Sequence, residues 1–194
     1  MPLPVADTED ESQLESTVLQ AVQHQLPIPT PVLHEVGEAD GWAYVLMGKL
    51  DGDVLYTVWP KLSDSERLDI ASQLGEALAA LHQLEPPDIE PDWDTFIKAQ
   101  RENCVERHRK TGLGEHWLAQ IPAFIGEETT TRKALLHTEI SREHLLVKDG
   151  RLTGLFDFEP AMAGAPEYEF AGLGFFVSQG DATIPRRALE SLGV

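Results

Sequence analysis

The sequence predicts a mixed α+β chain, and three observations carry that expectation. Apolar residues recur at helical spacing through much of the first two thirds, and two strand-like runs between residues 31 and 47 flank a cluster of turn residues. After Thr131 short β-like pieces with polar residues between them replace the helical pattern. Residues 1–11 hold two prolines and the acids Asp7, Glu9, Asp10 and Glu11, a composition that buries little and predicts a flexible N-terminal segment. From Ser12 to Gln25, Leu14, Val18, Leu19 and Val22 trace one face of a helix that the PIPTP cluster ends. The runs 31–36 and 42–47, joined by GEADG, read as a hairpin from which residues 48–52 depart.

Ser63 and Glu66 have capping-box spacing ahead of Ala71, Leu74, Ala77, Leu78 and Leu81, which predicts a helix over 63–84. The proline-punctuated EPPDIEPDWD connects it to two amphipathic helices, 96–109 and 115–124. ALLH, HLLV and LTGLFDF then read as strands, the last two joined through KDGR, whose Asp-Gly is a strong hairpin signal. A buried helix over 167–177 and a short one over 185–192 complete the chain.

Composition narrows the function. The chain of 194 residues carries 15 Lys and Arg against 33 Asp and Glu, a formal charge of −18 that repels phosphate backbones and anionic lipid surfaces. Neither a nucleic-acid partner nor a membrane is expected. Cys104 is the one cysteine, so no intramolecular disulfide or cysteine-based zinc site can form, and a cytoplasmic location is expected. No His–Asp arrangement accompanies Cys104 in the sequence, which argues against a cysteine nucleophile.

The residues that can carry chemistry are His137, Glu139, His144 and Asp157. Glu139 and His144 are five positions apart and are followed by a hairpin that ends at Asp157, the layout of a kinase catalytic loop and its metal-binding turn. Phosphoryl transfer needs such a set. A carboxylate orients the attacking hydroxyl and takes its proton, and metal ligands hold the cation that neutralises the phosphates.

The stretch LLHTEISREHLLVKDGRLTGLFDFEPAMAGAPEYEFAGL resembles the catalytic region of the aminoglycoside phosphotransferase family, small-molecule kinases that include choline and homoserine kinase relatives. The family pattern is L-x-H-G-D, four residues, N, a hairpin, I-D-[FW], G-D-P and an aspartate before L-A. Upstream, AYVLMGKLDG resembles the last N-lobe strand and hinge, and LGEALAALHQL the first large C-lobe helix. The resemblance covers roughly residues 12–190. It implies a protein-kinase-like fold with a mostly helical C-lobe, residues 51–194, and a partial N-lobe of one helix and a β-hairpin, residues 12–50. It implies ATP with Mg²⁺ or Mn²⁺ as cofactors and a small-molecule hydroxyl as acceptor, an amino-sugar being one candidate. Glu139 takes the catalytic-base position, Asp157 the main metal-ligand position and His144 the second. The backbone of Tyr44, Val45, Leu46 and Met47 would face adenine. Glu169 would brace the catalytic loop, and Glu15 matches the acid that pairs with the nucleotide-binding lysine.

The departures from the pattern are specific. Thr138 stands where the family has glycine, Glu139 where it has aspartate, His144 where it has asparagine and Ala165 where it has the aspartate of G-D-P. The extra methylene of Glu139 shifts its carboxylate by about 1 Å, a displacement that can cost about 10²-fold in rate. An imidazole is a poorer Mg²⁺ ligand than an amide oxygen and suits later first-row metals. The eleven residues ahead of the first predicted helix contain no lysine and no glycine-rich loop, so the chain is expected to be short at both ends of the family pattern. The alternative expectation is therefore a catalytically inactive kinase-like remnant or binding module. Two local alternatives also stand. His144 is either a metal ligand or a core-edge histidine satisfied by a backbone carbonyl, and His137, Glu139 and His144 could form a two-His, one-carboxylate iron site. His137 itself reads as structural, bonding loop backbone.

Overall fold

The structure is a computed structural model and describes residues 8–89, 92–125 and 132–194, with side chains from residue 12 onward. The expected flexible segment falls largely outside that range, but Thr8 already opens the first helix, α1 (Thr8–Val22). The helix ends with its apolar pattern at Val22, three residues short of the expected Gln25. His24 adopts φ 63°, a left-handed conformation that no helix continues through.

Strands β1 (Leu33–Ala39) and β2 (Trp42–Met47) form the predicted hairpin, with β1 starting two residues later and running three residues further than its apolar run. Asp40 and Gly41, both at positive φ, make the tight turn themselves, so Gly37 to Ala39 remain in the ladder. Tyr44 lies across Gly37, where a Cβ would come within 2.5 Å of its hydroxyl. A short strand, β3 (Asp53–Val54), one helical turn, α2 (Leu55–Val58), and a 3₁₀ turn at Trp59–Lys61 follow, none of which the hydrophobic pattern signals.

Helix α3 (Asp64–Leu81) starts at the predicted capping box, with Ser63 and Glu66 satisfying each other's backbone N–H groups. Its buried face, Ile70, Ala71, Leu74, Ala77, Leu78 and Leu81, forms the floor of the core. Gly75 lets α8 (Thr183–Leu192) lie against it, because a Cβ there would stand 2.1 Å from the Ala188 carbonyl oxygen. Gly75→Ala is expected to destabilise the chain by about 1–3 kcal/mol through overpacking. A lowered urea midpoint at unchanged m-value measures this.

Helix α4 (Trp93–Lys110) is capped by Asp92, whose carboxylate accepts from Thr95 N. The expected single helix over 115–124 is two short ones, α5 (Glu115–Leu118) and α6 (Ile121–Ile125). Pro122 has no N–H to return to the preceding turn, which separates them. Strand β4 (Ala134–Leu136) pairs with β7 (Met162–Gly164), and β5 (Leu145–Lys148) lies between β3 and β6 (Arg151–Leu155), all antiparallel. The Asp149-Gly150 turn has both residues at positive φ, as its hairpin signal predicts. The expected helix over 167–177 is a 3₁₀ turn at Pro166–Tyr168, one turn of α-helix, α7 (Glu169–Ala171), and a π-helix at Gly172–Val177.

One buried cluster joins Val18, Leu19 and Val22 of α1 to Leu74 and Leu78 of α3, Leu135 of β4, Leu145 of β5 and Phe158. A second gathers Trp93, Leu136, Met162 and Ala165 against Phe96 and Tyr168. The loop from His137 to His144 runs between the two clusters, so both of its ends are held by buried strands. No described helix is long and apolar enough to cross a membrane.

Candidate active site

His137 to His144 leave β4 and enter β5, and Asp157 follows β6 directly, so strand pairing brings the two segments side by side. One ligand atom from each of Glu139, His144 and Asp157 lies within 4.8 Å of the other two. His144 Nε2 is 3.1 Å from Asp157 Oδ2, while its Nδ1 donates to the Glu139 carbonyl oxygen at 2.8 Å. A carbonyl can only accept, so Nδ1 carries a proton, and the same ring turns Nε2 toward Asp157. The backbone-carbonyl bond read as one alternative for His144 is present at Nδ1, while Nε2 faces the Glu139–Asp157 cluster.

His137 belongs elsewhere. It is fully buried, and its Nε2 donates to Phe156 O at 2.9 Å while its ring packs on Phe158 at 4.7 Å between centroids. That position removes it from the metal-capable group, so the two-histidine iron site is not formed: the second carboxylate, Asp157, stands in its place. Burial pushes the His137 imidazole down to about 4.

Glu169 braces the loop, as expected. Its Oε1 accepts from the backbone N–H groups of His137, at 2.5 Å, and Thr138, at 3.2 Å. The side chain is fully buried, and burial pushes its carboxyl up to about 7 against those two donors, which favour the charged form. Thr138 takes φ 70° where a glycine would sit freely, and its hydroxyl donates to Pro160 O at 2.8 Å. A threonine in the left-handed region carries about 1–2 kcal/mol of strain, and that hydrogen bond returns about 1 kcal/mol of it.

Glu15 of α1 faces the same cluster. Burial raises its carboxyl above the ordinary range, and the charges of Asp157 and then Glu159 raise it further. Three acids therefore share one field, an arrangement that a cation would relieve. No lysine pairs with Glu15 among the described residues. Tyr44 and Leu46 of β2 point outward, Tyr44 donating to Glu35 at 2.6 Å, whereas Val45 and Met47 pack against the main core.

Arg142 is the loop residue that sequence reasoning missed. It is buried, donates from Nε to Val177 O at 2.7 Å, and lies 4.0 Å from the ring centre of Trp59. The π-turn carbonyls it uses have no regular sequence pattern, and an arginine in SRE looks solvated. Beside the loop a groove of about 460 Å³ is lined by Trp93, Ile97, Arg101, Cys104, Glu167 and Tyr168. Tyr168 adjoins Glu169, and its phenol is raised by burial and by the charges of Glu169 and Glu139.

The sequence pattern of the phosphotransferase enzyme family, APH, matches residues 2–193. The chain belongs to that family. Among solved structures, the streptomycin–ATP–APH(2")-IIa ternary complex is similar at TM-score 0.70 and 20% identity, over 98% of this chain and 70% of that one. The GDP complex of aminoglycoside 2'-phosphotransferase-IIIa is similar at TM-score 0.77 and 18% identity, over 99% and 69%. Macrolide 2'-phosphotransferase MphH from Brachybacterium faecium is similar at TM-score 0.68 and 20% identity, over 98% and 67%. These likenesses carry the fold, which is the expected protein-kinase-like one. No curated protein sequence matches the chain.

Proposed function

We propose that the chain transfers the γ-phosphoryl group of ATP to a hydroxyl of a small molecule, with an amino-sugar as the first acceptor to try. The convergence of Glu139, His144 and Asp157 in a phosphotransferase-family fold carries this reading. The donor set suits a divalent cation: two carboxylates and an oriented imidazole, with Glu15 adding negative charge. Asp157 and His144 would hold it. When bound, such an ion supplies charge neutralisation for the phosphates, the largest electrostatic demand of phosphoryl transfer.

The chain's own groups do the rest. Glu139, exposed at the rim of the loop, orients the acceptor hydroxyl and takes its proton as the acceptor oxygen bonds to the γ-phosphorus. The bond from that phosphorus to the β–γ bridging oxygen breaks, and ADP leaves with the electron pair. Glu169, His137 and Arg142 touch no reactant in this reading; they fix the loop on which Glu139 and His144 stand. The groove beside Tyr168 is the acceptor site, and the outer edge of β2 around Tyr44, Val45, Leu46 and Met47 faces adenine. Residues 12–50 and 51–194 then serve as the two walls of the nucleotide cleft.

The rival is the inactive remnant. Decay would relax selection on side chains outside the core, whereas an exposed Glu139 still meets His144 and Asp157 here. The test is nucleotide turnover with ATP and GTP, each with Mg²⁺ or Mn²⁺, against a panel of hydroxylated acceptors including aminoglycosides and macrolides. Acceptor-dependent release of nucleoside diphosphate together with a phosphorylated product supports the reading. Absence of both with every nucleotide, ion and acceptor, in a chain that melts cooperatively, would leave the remnant standing.

A further inference from the structure

We infer that Glu139, His144 and Asp157 together form a three-ligand site that takes a first-row transition-metal dication, Mn²⁺ in preference to Mg²⁺, before any nucleotide binds. This rests on the reading of the site given above and adds Glu139 as a ligand, together with an ion preference and an order of binding. Kinase-type Mg²⁺ sites supply one or two protein ligands and leave the remaining positions to phosphates and water. Here three donors are already gathered within 4.8 Å of one another.

The spacing matches coordination. Two adjacent ligands at right angles on bonds of about 2.1 Å sit about 3 Å apart. His144 Nε2 and Asp157 Oδ2 are 3.1 Å apart. The bond from His144 Nδ1 to the Glu139 carbonyl fixes both the tautomer and the ring plane, the support that metal-ligating histidines ordinarily receive from a neighbouring acceptor. The same bond ties the backbone of one ligand to the side chain of the next, so the pair moves as a unit.

Ligand chemistry sets the preference. Mg²⁺ demands oxygen and gives up water reluctantly, while imidazole favours ions further along the first row. Glu139 is exposed and carries two oxygens, so one on the ion leaves the other for the acceptor hydroxyl.

The experiment is Mn²⁺ and Mg²⁺ titration of the nucleotide-free chain, with free Mn²⁺ read by electron paramagnetic resonance and Mg²⁺ by competition. Mn²⁺ is expected to bind at least about tenfold more tightly than Mg²⁺. His144→Asn should weaken Mn²⁺ by about tenfold or more and collapse the preference, and Glu139→Ala should weaken Mn²⁺ by a similar factor. Glu139 is exposed, so thermal melts of its variant should overlay the wild type. Equal affinity for the two ions, or no Mn²⁺ binding without nucleotide, overturns the inference; unchanged Mn²⁺ affinity in Glu139→Ala removes Glu139 from the ligand set. Phosphoryl transfer measured on the same samples separates the two claims. Transfer without nucleotide-free metal binding overturns only this one, and metal binding without transfer from any nucleotide overturns only the proposed function.

Discussion

Glu139→Gln is expected to lower phosphoryl transfer by about 10²–10⁴-fold, the range that a positioned general base contributes. The substitution keeps the side-chain length and removes the proton-accepting charge. Because Glu139 is exposed and lends only its backbone carbonyl to His144, the loop geometry should survive, and the melting temperature should stay within about 2 °C of wild type. Steady-state kinetics against acceptor concentration separate the causes. A fall in kcat with KM nearly unchanged is the signature of an interaction made in the transition state, whereas a raised KM alone would assign Glu139 to acceptor binding. Glu139→Asp is the informative companion. It retains the charge and withdraws it by a methylene, so its rate shows whether the loop was built around the longer side chain or merely tolerates it.

How far the sequence foretold this site depends on what kind of contact holds each residue. Contacts within one element were legible. The Ser63–Glu66 capping box and the Asp149-Gly150 turn are short-range chemistry, and both stand as read. The spacing from Glu139 to His144 to Asp157 was legible as well, because a hairpin of fixed register converts chain distance into spatial proximity. Contacts between distant segments were not. Arg142 bonds a carbonyl 35 residues away, in a π-turn that its apolar sequence disguises as an ordinary helix. Hydrophobic period could place 167–177 in the core, but not divide it into a 3₁₀ turn, an α-turn and a π-turn. For His144, spacing offered two readings as alternatives; only the ring's position shows that Nδ1 is taken by backbone and Nε2 faces Asp157.

Glu169 and His137 both contribute strongly to the expected pH dependence of stability, and they act in opposite senses. Burial holds the folded Glu169 carboxyl at about 7 against a model value of 4.5, so its contribution is fully present below 4.5 and is lost as pH rises through 7. The difference corresponds to about 3 kcal/mol, at about 1.4 kcal/mol for each pKa unit. His137 is held at about 4 against 6.5, so its contribution is present above 6.5 and is lost as pH falls through 4. Between those limits one loss grows as the other recedes, so the two contributions nearly cancel, and His82, which burial also holds at about 4, adds a further loss on the acid side in wild type and variant alike. Glu169→Gln keeps an acceptor oxygen for the His137 and Thr138 N–H groups and removes the titration. Its buried amide group adds a cost that does not change with pH, so the pH-dependent part of the comparison carries the test. Chemical denaturation from pH 4 to pH 8.5 should show the variant gaining about 3 kcal/mol on the wild type across the range, with most of the gain between pH 4.5 and 7. A constant difference would mean that Glu169 is ionised in the folded chain at acid pH, held by the two backbone donors strongly enough to outweigh its burial.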